Sequence, residues 1–537
     1  MKATWTWEAR VTVRRTDPPS AELMELLDAW LPARRWYPVK GVAVRHVPWL
    51  SFALDVPASA ATPGPPDDAW PGTRVELHLL RLVGEGVDLV VQVPLVLEPA
   101  TPPGDAALGG ATPGGATSGV ATPGGAASIG TLAPRGADDA GWVVHDGAAH
   151  PACWAALLAV AEWESRDTAP DGASPRGGGP DADTDLTGGR ALSVEQSNSS
   201  VLLPRVAGGS MLKVLRAIAI GPNPDVTIPR ALAAQGWAGV PRPLAWLEVR
   251  WDAADDPAAV DPGADHRRGE PTAEGGAPPS GTAPGPEAPR SAHLAILSEF
   301  VEGARDGFDL ACSYAGQDAS FADLATDLGR VLADLHAALR SAFGVGSPVD
   351  ARWLVTDLRR RADEAVASSR ALGRRAADVA AFWDRTSARL ANVTRVPDAL
   401  PRLQTVHGDL HLGQVLHARR FGWKVLDFEG EPLRPVAERT RPDLALRDVA
   451  GIVRSFDYAA AVGRARDAAW AVQARTAFLD AYDRADTAGV DRATSEALVR
   501  ALTLDKALYE VVYESRNRPD WEPIPLAAVD RLLAGNT

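Results

Sequence analysis

The stretch HGDLHLGQ places three polar side chains at short, fixed spacing: His407, Asp409 and Gln414. An apolar run, WKVLDF, follows and carries Asp427, with Glu429 two residues beyond it. Phosphoryl transfer needs a carboxylate that takes or orients the proton of the attacking hydroxyl, oxygen ligands for magnesium, and positive charge against the phosphate oxygens. Asp409 could be that carboxylate. The Gln414 amide and the Asp427 carboxylate could be magnesium ligands.

The residues between Gln414 and Asp427 predict the element that would bring these two side chains together. The segment HARRFG suits a turn region between two short strands, and a hairpin there would place Gln414 near Asp427. Asp409 follows the short apolar approach LQTV, so we expect it at a strand end or in a loop.

The order HxDxxxxQ and then DFE resembles the catalytic and metal loops of the kinase-like fold, in its small-molecule phosphotransferase branch. Protein kinases have Asn at the amide position and Gly after Asp-Phe, so Gln414 and Glu429 depart from their pattern. The longer text, HGDLHLGQVL with DFEGEP, resembles a narrower family, the bacterial maltokinases with the closely related glucosamine kinases. The resemblance implies that Asp409 is the base, and that Gln414 and Asp427 hold Mg²⁺ with help from Glu429.

The same resemblance assigns nucleotide contacts in the first half of the chain. Lys213, in the strand-like SMLKVLR, matches the lysine that holds the α- and β-phosphates of ATP. The turn EQSNSS stands in place of a glycine-rich phosphate loop. It implies phosphate contacts from Gln196, Ser197, Asn198 and Ser199.

Two further stretches of sequence bear on the predicted nucleotide site. A kinase-like fold expects a Glu on the helix after the lysine strand, but Thr227 stands there, so Asp225 could be the partner of Lys213. Pro229 would be tolerated only in the first turn of that helix. LSEFVEG resembles the hinge that receives adenine on its backbone, through Glu299 and Val301.

Three residues of the second half resemble family positions and are interpreted as structural. His336 lies in the helical LGRVLADLH. Arg447 and Asp448 lie in LALRDVAGIVRSFDYAA, where we expect a structural ion pair on a core helix behind the catalytic loop.

The C-terminal LDKALYEVVYESRNRPDWEPIPL narrows the substrate. Tyr509 and Tyr513 recur at helical spacing, which by itself fits a sugar pocket or an amphipathic helix with core tyrosines. The string resembles the maltokinase C-terminus, and LPARRWYPVKG resembles the start of the maltokinase cap domain. The resemblance implies sugar contacts from His407, Tyr513, Glu514, Arg516 and Trp521.

Composition excludes several classes of protein. The 537 residues predict two to four domains, and the net charge of -14 argues against a nucleic-acid binder. Cys153 and Cys312 form neither a disulfide framework nor a zinc site. No apolar run is long enough to span a membrane and the N-terminus lacks a signal-peptide core, so we expect a cytoplasmic protein.

Apolar alternation predicts strands in VRHVPWLSFALDV, TRVELHLLRLV, VDLVVQVPLVL and AHLAILSEFV, and the turn GGS between SVLLPRV and SMLKVLRAI predicts a hairpin. Helical spacing predicts a helix at 21–30 and helices from residue 318 onward. A β-rich first half and a helix-rich second half therefore predict an α+β fold. The resemblance implies a bilobal, protein-kinase-like fold with an N-terminal cap domain. The expected domains are a cap (1–100), a low-complexity linker carrying ATPGG repeats (101–140), an intermediate domain or N-lobe (141–300) and a helical C-lobe (301–537). Pro/Gly/Asp-rich composition predicts disordered insertions at 167–189 and 253–290.

The leading functional hypothesis is an ATP-dependent sugar kinase that converts maltose to maltose 1-phosphate for α-glucan synthesis. Glucosamine kinase, forming glucosamine 6-phosphate, is the second hypothesis within the same architecture. The sequence also leaves open a degenerate, noncatalytic nucleotide-binding member and an aminoglycoside or choline phosphotransferase. The resemblance also allows association with a trehalose–maltose interconverting enzyme.

Overall fold

The structure is a computed structural model that describes residues 13–57, 70–100, 128–134, 141–164, 185–192, 197–252, 290–393, 400–430, 441–486 and 488–535. The chain divides into two compact units. The first comprises Met1–Val226 and Pro243–Phe300, and the second comprises Thr227–Arg242 and Val301–Thr537. Helix and strand are both abundant, so the α+β prediction is confirmed.

The first unit is mostly strand. Its strands are β1 (Val13–Arg15), β2 (Arg45–Leu54), β3 (Arg74–Gly84), β4 (Val87–Pro99), β5 (Ser128–Leu132), β6 (Trp142–Asp146), β7 (Glu162–Trp163), β8 (Arg190–Ala191), β9 (Ser199–Leu203), β10 (Ser210–Val214), β11 (Ala217–Ile218), β12 (Pro243–Trp251) and β13 (Arg290–Glu299). Its helices are α1 (Ala21–Trp30) and α2 (Pro151–Val160). A third helix, α3 (Pro224–Ala234), begins in the first unit and continues into the second.

These strands form two antiparallel sheets. The first has the order β1-β2-β3-β4-β6-β5, and β11 also pairs with β4. The second has the order β7-β12-β13-β10-β9-β8. The apolar alternation seen in the sequence correctly predicted β2, β3, β4 and β13, and the turn GGS correctly predicted the hairpin of β9 and β10.

Helix α1 shows how local sequence sets this unit's core. Ser20 caps the helix, because its Oγ accepts the N–H of Leu23 at 3.3 Å. Leu23, Leu27 and Leu31 recur at helical spacing and are all buried in one apolar cluster with β3, β4 and β6. The predicted helix at 21–30 is therefore confirmed.

Two predicted loop segments are partly wrong. The linker predicted for 101–140 contains β5, because Ile129 and Leu132 pack in the α1 cluster and Gly130 lies against Leu26. The insertion predicted for 167–189 ends in a turn whose Leu186 is buried. The ATPGG repeats and almost all of 253–290 lie outside the described residues, and residue 290 is already the first of β13.

Helix α3 corrects a second expectation. Pro229 lies in the interior of α3 rather than in its first turn, because the helix already begins at Pro224. The Asn223 side chain starts it by accepting the N–H of Asp225 at 2.8 Å. Pro229 has no N–H to donate to the preceding turn, so α3 lacks one internal hydrogen bond.

The second unit is mostly helical. Its helices are α4 (Gly307–Gly316), α5 (Ala322–Phe343), α6 (Ala351–Ser368), α7 (Arg370–Gly373), α8 (Ala376–Val393), α9 (Leu446–Gly463), α10 (Trp470–Ala485), α11 (Arg492–Asn517) and α12 (Pro523–Leu533). Its strands are β14 (Arg305–Asp306), β15 (Val345–Pro348), β16 (Arg402–Gln404), β17 (Val415–Ala418) and β18 (Gly422–Val425). They form a sheet β14-β17-β18 and the pair β15-β16.

One large apolar cluster unites the second unit's helices with its β17–β18 hairpin. Helix α5 contributes Leu328, Leu332, Leu335 and Leu339 at helical spacing, as the sequence predicted. In the described part of the chain, every helix is too short or too polar to cross a membrane.

Candidate active site

One buried carboxylate, that of Asp448, fixes the start of the catalytic loop, residues 407–414. Asp448 lies in the first turn of α9 and is 1% exposed. Its oxygens accept the backbone N–H groups of His407 and Gly408, each at 2.9 Å. His336 on α5 places Nε2 3.1 Å from the same carboxylate, and its Nδ1 lies 2.9 Å from the Tyr482 hydroxyl.

The ionisation of Asp448 fits this role. Burial alone would raise the pKa of Asp448, but the hydrogen bonds and charges of His336 and His407 together outweigh burial and lower the pKa. A carboxylate that is ionised has no proton to donate, so all of its contacts accept N–H groups. His336 is fully buried, which agrees with its interpretation as structural.

The predicted ion pair between Arg447 and Asp448 is wrong. Adjacent residues of a helix point about 100° apart, so their side chains do not face each other. Arg447 instead donates to Asp443 at 2.6 Å and to Asp505 at 3.3 Å. Asp448 contacts the catalytic loop, which gives it a positioning role that the sequence did not reveal.

His407 supports the catalytic loop and offers no surface to a sugar, so its predicted substrate contact is not supported. His407 is only 1% exposed. Its Nε2 donates to the Leu426 carbonyl at 2.7 Å, and its ring packs on Phe428 with centroids 4.9 Å apart. His407 therefore ties the catalytic loop to the segment that carries Asp427.

Asp409, the predicted base, faces a small pocket. Lys506 on α11 places Nζ 3.1 Å from the Asp409 Oδ1, and both side chains are about one-fifth exposed, at 24% and 20%. The pocket is also lined by Arg361, Tyr509 and Asp505, together with Gly408, Leu410, Arg447, Gly451 and Leu502. A carboxylate in such a pocket can accept a proton from a hydroxyl bound beside it.

The proposed metal ligands Gln414 and Asp427 are brought together as predicted. Strands β17 and β18 pair as a hairpin, and the Leu426 N–H donates to the Gln414 carbonyl at 2.9 Å. The Gln414 side-chain amide lies 2.9 Å from the Asp427 Oδ2. In this contact the Gln414 Nε2 donates to the carboxylate, so the two side chains bring an amide group and a carboxylate side by side. Their oxygens are of the kind that a hard cation such as Mg²⁺ prefers.

Asp427 has a backbone conformation that aims its carboxylate. Its φ is +63°, in the left-handed region that is uncommon for residues other than glycine. Such conformations persist where the surroundings impose them, and they cluster at functional sites. Glu429, the third predicted ligand, is half-buried two residues later.

Glu514 is placed where it cannot serve as the predicted sugar contact. The residue is 1% exposed, and it accepts two hydrogen bonds from Arg518, at 2.7 and 2.8 Å. The Tyr458 hydroxyl donates a third at 3.1 Å. The Arg518 bonds close the C-terminal end of α11, and the Tyr458 bond joins α11 to α9.

The other predicted sugar residues lie farther along α11 and beyond it. Tyr513 is 37% exposed and stacks on Tyr509 with centroids 6.2 Å apart. Trp521 is half-exposed beneath the Arg518 guanidinium at 4.3 Å, and Arg516 is exposed. Among the described residues, none of these lines the Asp409 pocket, whereas Lys506 and Tyr509 do.

In the first unit, Lys213 has the partner that the sequence offered as a substitute. Lys213 Nζ lies 2.5 Å from the Asp225 Oδ2, and the two side chains are 21% and 8% exposed. Asp225 therefore takes the place of the Glu that was expected at Thr227. This ion pair fixes the ammonium group of Lys213, which lies on β10 in the hairpin with β9.

The turn before β9 is held by its side chains. Asn198 is buried and its Oδ1 accepts a backbone N–H at 2.9 Å, whereas Ser197 is exposed. Ser199 begins β9 and its Oγ also accepts a hydrogen bond at 2.9 Å. Gln196 lies outside the described residues.

The two predicted adenine contacts belong to different units. Glu299 is the last residue of β13 in the first unit. Val301 is 6% exposed in the second unit, and its carbonyl accepts the Ala304 N–H at 3.2 Å.

Comparison with known proteins decides the family. No family model matches the chain. A glucosamine kinase of Mycolicibacterium smegmatis (strain ATCC 700084 / mc(2)155) is 30% identical over 371 residues, which cover 65% of this chain and 81% of that protein. The chain belongs to the glucosamine kinase family. A second glucosamine kinase, from Streptacidiphilus jiangxiensis, is 29% identical over 74% of this chain and 87% of its own length.

A solved structure shows the fold of this glucosamine kinase family member. The structure of a glucosamine kinase in complex with glucosamine, ADP and inorganic phosphate matches with a TM-score of 0.53 at 22% identity. The match covers 96% of this chain and 99% of that one. The fold is thus kinase-like, with mixed helix and sheet, and the chain is an ATP-dependent carbohydrate kinase.

Sequence reasoning missed Lys506 as a neighbour of the base in this glucosamine kinase family member. Its signal was present but weak: Lys506 precedes Tyr509 and Tyr513 on one face of α11, and lysine is rare in this chain. Asp448 was found but given the wrong partner. The sequence does not reveal which residue donates hydrogen bonds to Asn198 and Ser199, because only folding brings that residue to them.

Proposed function

We propose that this protein transfers the γ-phosphoryl group of ATP to glucosamine and forms glucosamine 6-phosphate. Among the described residues, the observation that carries the chemistry is the loop pair in which Asp409 faces a pocket while Gln414 and Asp427 lie 2.9 Å apart. The family relationship supports the acceptor, since both curated relatives are named glucosamine kinases. Maltose, the leading hypothesis from the sequence, becomes the second candidate.

Asp409 is the proposed general base. The sugar hydroxyl oxygen forms a bond to the γ-phosphorus, the bond from that phosphorus to the bridging oxygen breaks, and ADP leaves. The hydroxyl proton passes to Asp409 as the new bond forms. Lys506 places its Nζ 3.1 Å from the Asp409 Oδ1 and so orients the carboxylate that takes this proton.

Gln414 and Asp427 are the proposed Mg²⁺ ligands, with Glu429 assisting. The ion supplies charge that neutralises phosphate oxygens during transfer. The chain's own contribution is to hold the amide and the carboxylate together on the β17–β18 hairpin. The left-handed backbone of Asp427 keeps that carboxylate in place.

The nucleotide residues keep the roles implied by the sequence. We assign Lys213 to the α- and β-phosphates, and Ser197, Asn198 and Ser199 to a phosphate loop, with Gln196 as a further member. Glu299 and Val301 are assigned to adenine. The Lys213–Asp225 pair supports the first role, because it orients the ammonium without a Glu on α3.

The residues around the Asp409 pocket offer charged and aromatic groups to a sugar. Arg361, Lys506 and Tyr509 line it together with Asp409, and Asp505 holds Arg361 and Arg447 at 3.0 and 3.3 Å. One observation favours maltose as the second candidate: Tyr513 continues the aromatic surface from Tyr509 along α11. An additional sugar ring would reach it, because Tyr513 follows Tyr509 by about one helical turn, roughly 6 Å along the axis.

The lobe arrangement is part of the same proposal. We assign 1–100 to a cap, 141–300 to an N-lobe and 301–537 to a catalytic C-lobe of a bilobal kinase. Association with a trehalose–maltose interconverting enzyme is an expectation that accompanies the maltose candidate. A cytoplasmic location is an expectation from the sequence composition.

A coupled ADP-release assay with ATP and Mg²⁺ tests the function. The panel is glucosamine, maltose, glucose, trehalose and an aminoglycoside, with Asp409→Asn as the matched inactive variant. We expect glucosamine-dependent ADP release that falls about 10²- to 10⁴-fold in the variant, as for loss of a general base. Release with maltose alone would move the substrate, and near-normal turnover by Asp409→Asn would remove Asp409 as base.

A folded protein that binds ADP but releases none with any acceptor would favour a noncatalytic nucleotide-binding role. Omission of Mg²⁺ supplies the second control. Activity that survives EDTA would contradict the roles given to Gln414 and Asp427.

A further inference from the structure

Arg216 joins the proposed phosphate loop to the first sheet of the same unit. It lies between β10, which carries Lys213, and β11, and it is 1% exposed. Its backbone N–H donates to the Asn198 Oδ1 at 2.9 Å, and its Nε donates to the Ser199 Oγ at 2.9 Å. One buried residue thus holds two of the residues assigned to phosphate.

The other side of Arg216 is held by the first sheet and the segment after α1. Its Nη2 donates to both oxygens of Asp146 on β6, at 2.8 and 2.6 Å. Its guanidinium also lies 4.3 Å from the centre of the Trp36 ring. Ion pairing and cation–π stacking are strong where both groups are shielded from water, so these contacts fix the side chain.

The backbone makes the same connection. The Arg216 carbonyl accepts the Gln92 N–H of β4 at 2.8 Å. The next two residues, β11, pair with Val90 and Val91 of β4. The chain therefore passes from the Lys213 strand into the first sheet at Arg216.

These contacts decide which groups the loop presents. The Arg216 side chain has donors only, so it occupies an acceptor position on Ser199 and leaves that residue's O–H free to donate. The Arg216 backbone N–H likewise holds the Asn198 Oδ1, and the amide Nδ2 of Asn198 lies 3.5 Å from the Ser197 Oγ. Phosphate oxygens accept hydrogen bonds, so a loop that shows donors matches them.

We propose that Arg216 is a positioning residue through which Asp146 and Trp36, in the first sheet and its connecting segment, set the affinity for the nucleotide phosphates without touching them. The inference rests on the proposed function, because it takes Asn198 and Ser199 as phosphate contacts. It gives the N-terminal part of the first unit a task in nucleotide binding.

Asp146→Asn is the main test, since it keeps the shape of the side chain and removes its charge. We expect the ADP dissociation constant and the ATP KM to rise about tenfold, the effect of losing one well-placed donor. The KM for glucosamine should change less than twofold. The matched control is Asp88→Asn, which breaks an exposed bidentate pair with Arg81 on the same sheet and should leave both nucleotide constants unchanged.

Two further variants keep the test decisive. Trp36→Leu removes the stacking contact and should weaken ADP binding in the same direction, including where Asp146→Asn fails to fold. Arg216→Lys keeps the charge but not the planar fork, and should not restore wild-type affinity. Wild-type ADP binding by folded Asp146→Asn and Trp36→Leu proteins would overturn the inference.

The Ser199→Ala variant distinguishes failure of the Arg216 inference from failure of the proposed function. Weaker ADP binding by Ser199→Ala with normal binding by Asp146→Asn would keep the phosphate loop and reject the coupling. Normal ADP binding by Ser199→Ala and by Asn198→Ala would reject the phosphate loop, and the inference with it.

Discussion

Two loops of this molecule are held by buried charges of opposite sign. In the second unit, the carboxylate of Asp448 accepts backbone N–H groups of His407 and Gly408. In the first unit, Arg216 donates to the side chains of Asn198 and Ser199. Both anchors are 1% exposed, and each has a further buried or half-buried partner, His336 or Asp146.

The two anchors differ in which groups of their loops they leave available. Asp448 fixes the backbone, so the position of the following Asp409 depends on it while the Asp409 side chain remains available for chemistry. Arg216 holds the side chains of Asn198 and Ser199 by their acceptor atoms, so their donor groups are directed elsewhere. Loss of Asp448 should therefore affect turnover and stability, whereas loss of Arg216 should affect nucleotide affinity.

Asp448→Ala should have the largest effect. It leaves two backbone N–H groups and His336 buried without their acceptor, which should lower the free energy of unfolding by about 3 to 5 kcal/mol. Turnover should fall at least 100-fold, since a small displacement of a catalytic group can lower the rate by this factor. Urea unfolding and the ADP-release assay measure the two quantities.

Asp327→Ala provides the control for Asp448→Ala, because it removes a carboxylate from an exposed pair with Arg330 in the same unit. Its effect should stay within about 0.5 kcal/mol. A similar, small effect for both variants would show that the Asp448 contacts do not hold the catalytic loop.

Lys506→Met tests whether Asp409 needs its own counter-charge in addition to the Asp448 anchor. We expect turnover to fall about tenfold, because Asp409 loses the ammonium group that lies 3.1 Å from its Oδ1 and orients the carboxylate. Lys506→Arg should retain most of the activity. Wild-type turnover by Lys506→Met would limit Lys506 to packing.

Tyr509→Ala and Trp521→Ala compare the two ends of the aromatic surface on and beyond α11. Tyr509 lines the Asp409 pocket, so its loss should raise the KM for glucosamine about fivefold with little change in the ATP KM. Trp521 does not line that pocket, so its loss should change the KM for glucosamine less than twofold. A larger effect of Trp521→Ala, measured with maltose, would favour the longer acceptor.

The smallest effect concerns the pH dependence of the first unit. His150 is 4% exposed, with Nε2 3.2 Å from Glu98, which also contacts His145 at 3.1 Å. Burial, aided by the nearby His145 and opposed by Glu98, lowers the pKa of His150. The unfolded chain then binds the proton first, so stability is full above about pH 6.5 and declines below it.

Unfolding of the first unit at pH 7.5 and 5.5 measures this decline. His150→Gln removes the titrating group and should flatten the pH dependence. A dependence as steep as that of the wild-type protein would assign it to other groups.

The chemical core of the site could be predicted because its residues are close in sequence. Asp409, Gln414 and Asp427 follow a fixed spacing, and a hairpin is the short-range element that joins the last two. The same holds for α1 and the β9–β10 hairpin, whose patterns are local. Local periodicity states which face of an element is buried, and it also placed Lys213 on its strand.

The anchors could not be predicted because their partners are distant in sequence. Asp448 contacts the loop 40 and 41 residues earlier, Lys506 contacts Asp409 across 97, and Arg216 reaches Asp146 across 70. Glu514 was misassigned for a related reason: a Glu on a helix is usually exposed, and the two partners that bury it are known only from packing. Strand β5 was missed because low-complexity neighbours hid a five-residue strand.

The pairing of β11 with β4 bears on how this enzyme could be divided or recombined with its relatives. A fragment that begins after β4 would leave β11 as an unpaired edge and remove Trp36 from the Arg216 guanidinium. An exchange of the N-terminal segment between homologues would therefore succeed only where the incoming segment brings a matching aromatic ring and strand. The N-terminal sheet shares strand pairing and the Arg216 ion pair with the part of the first unit that carries Lys213.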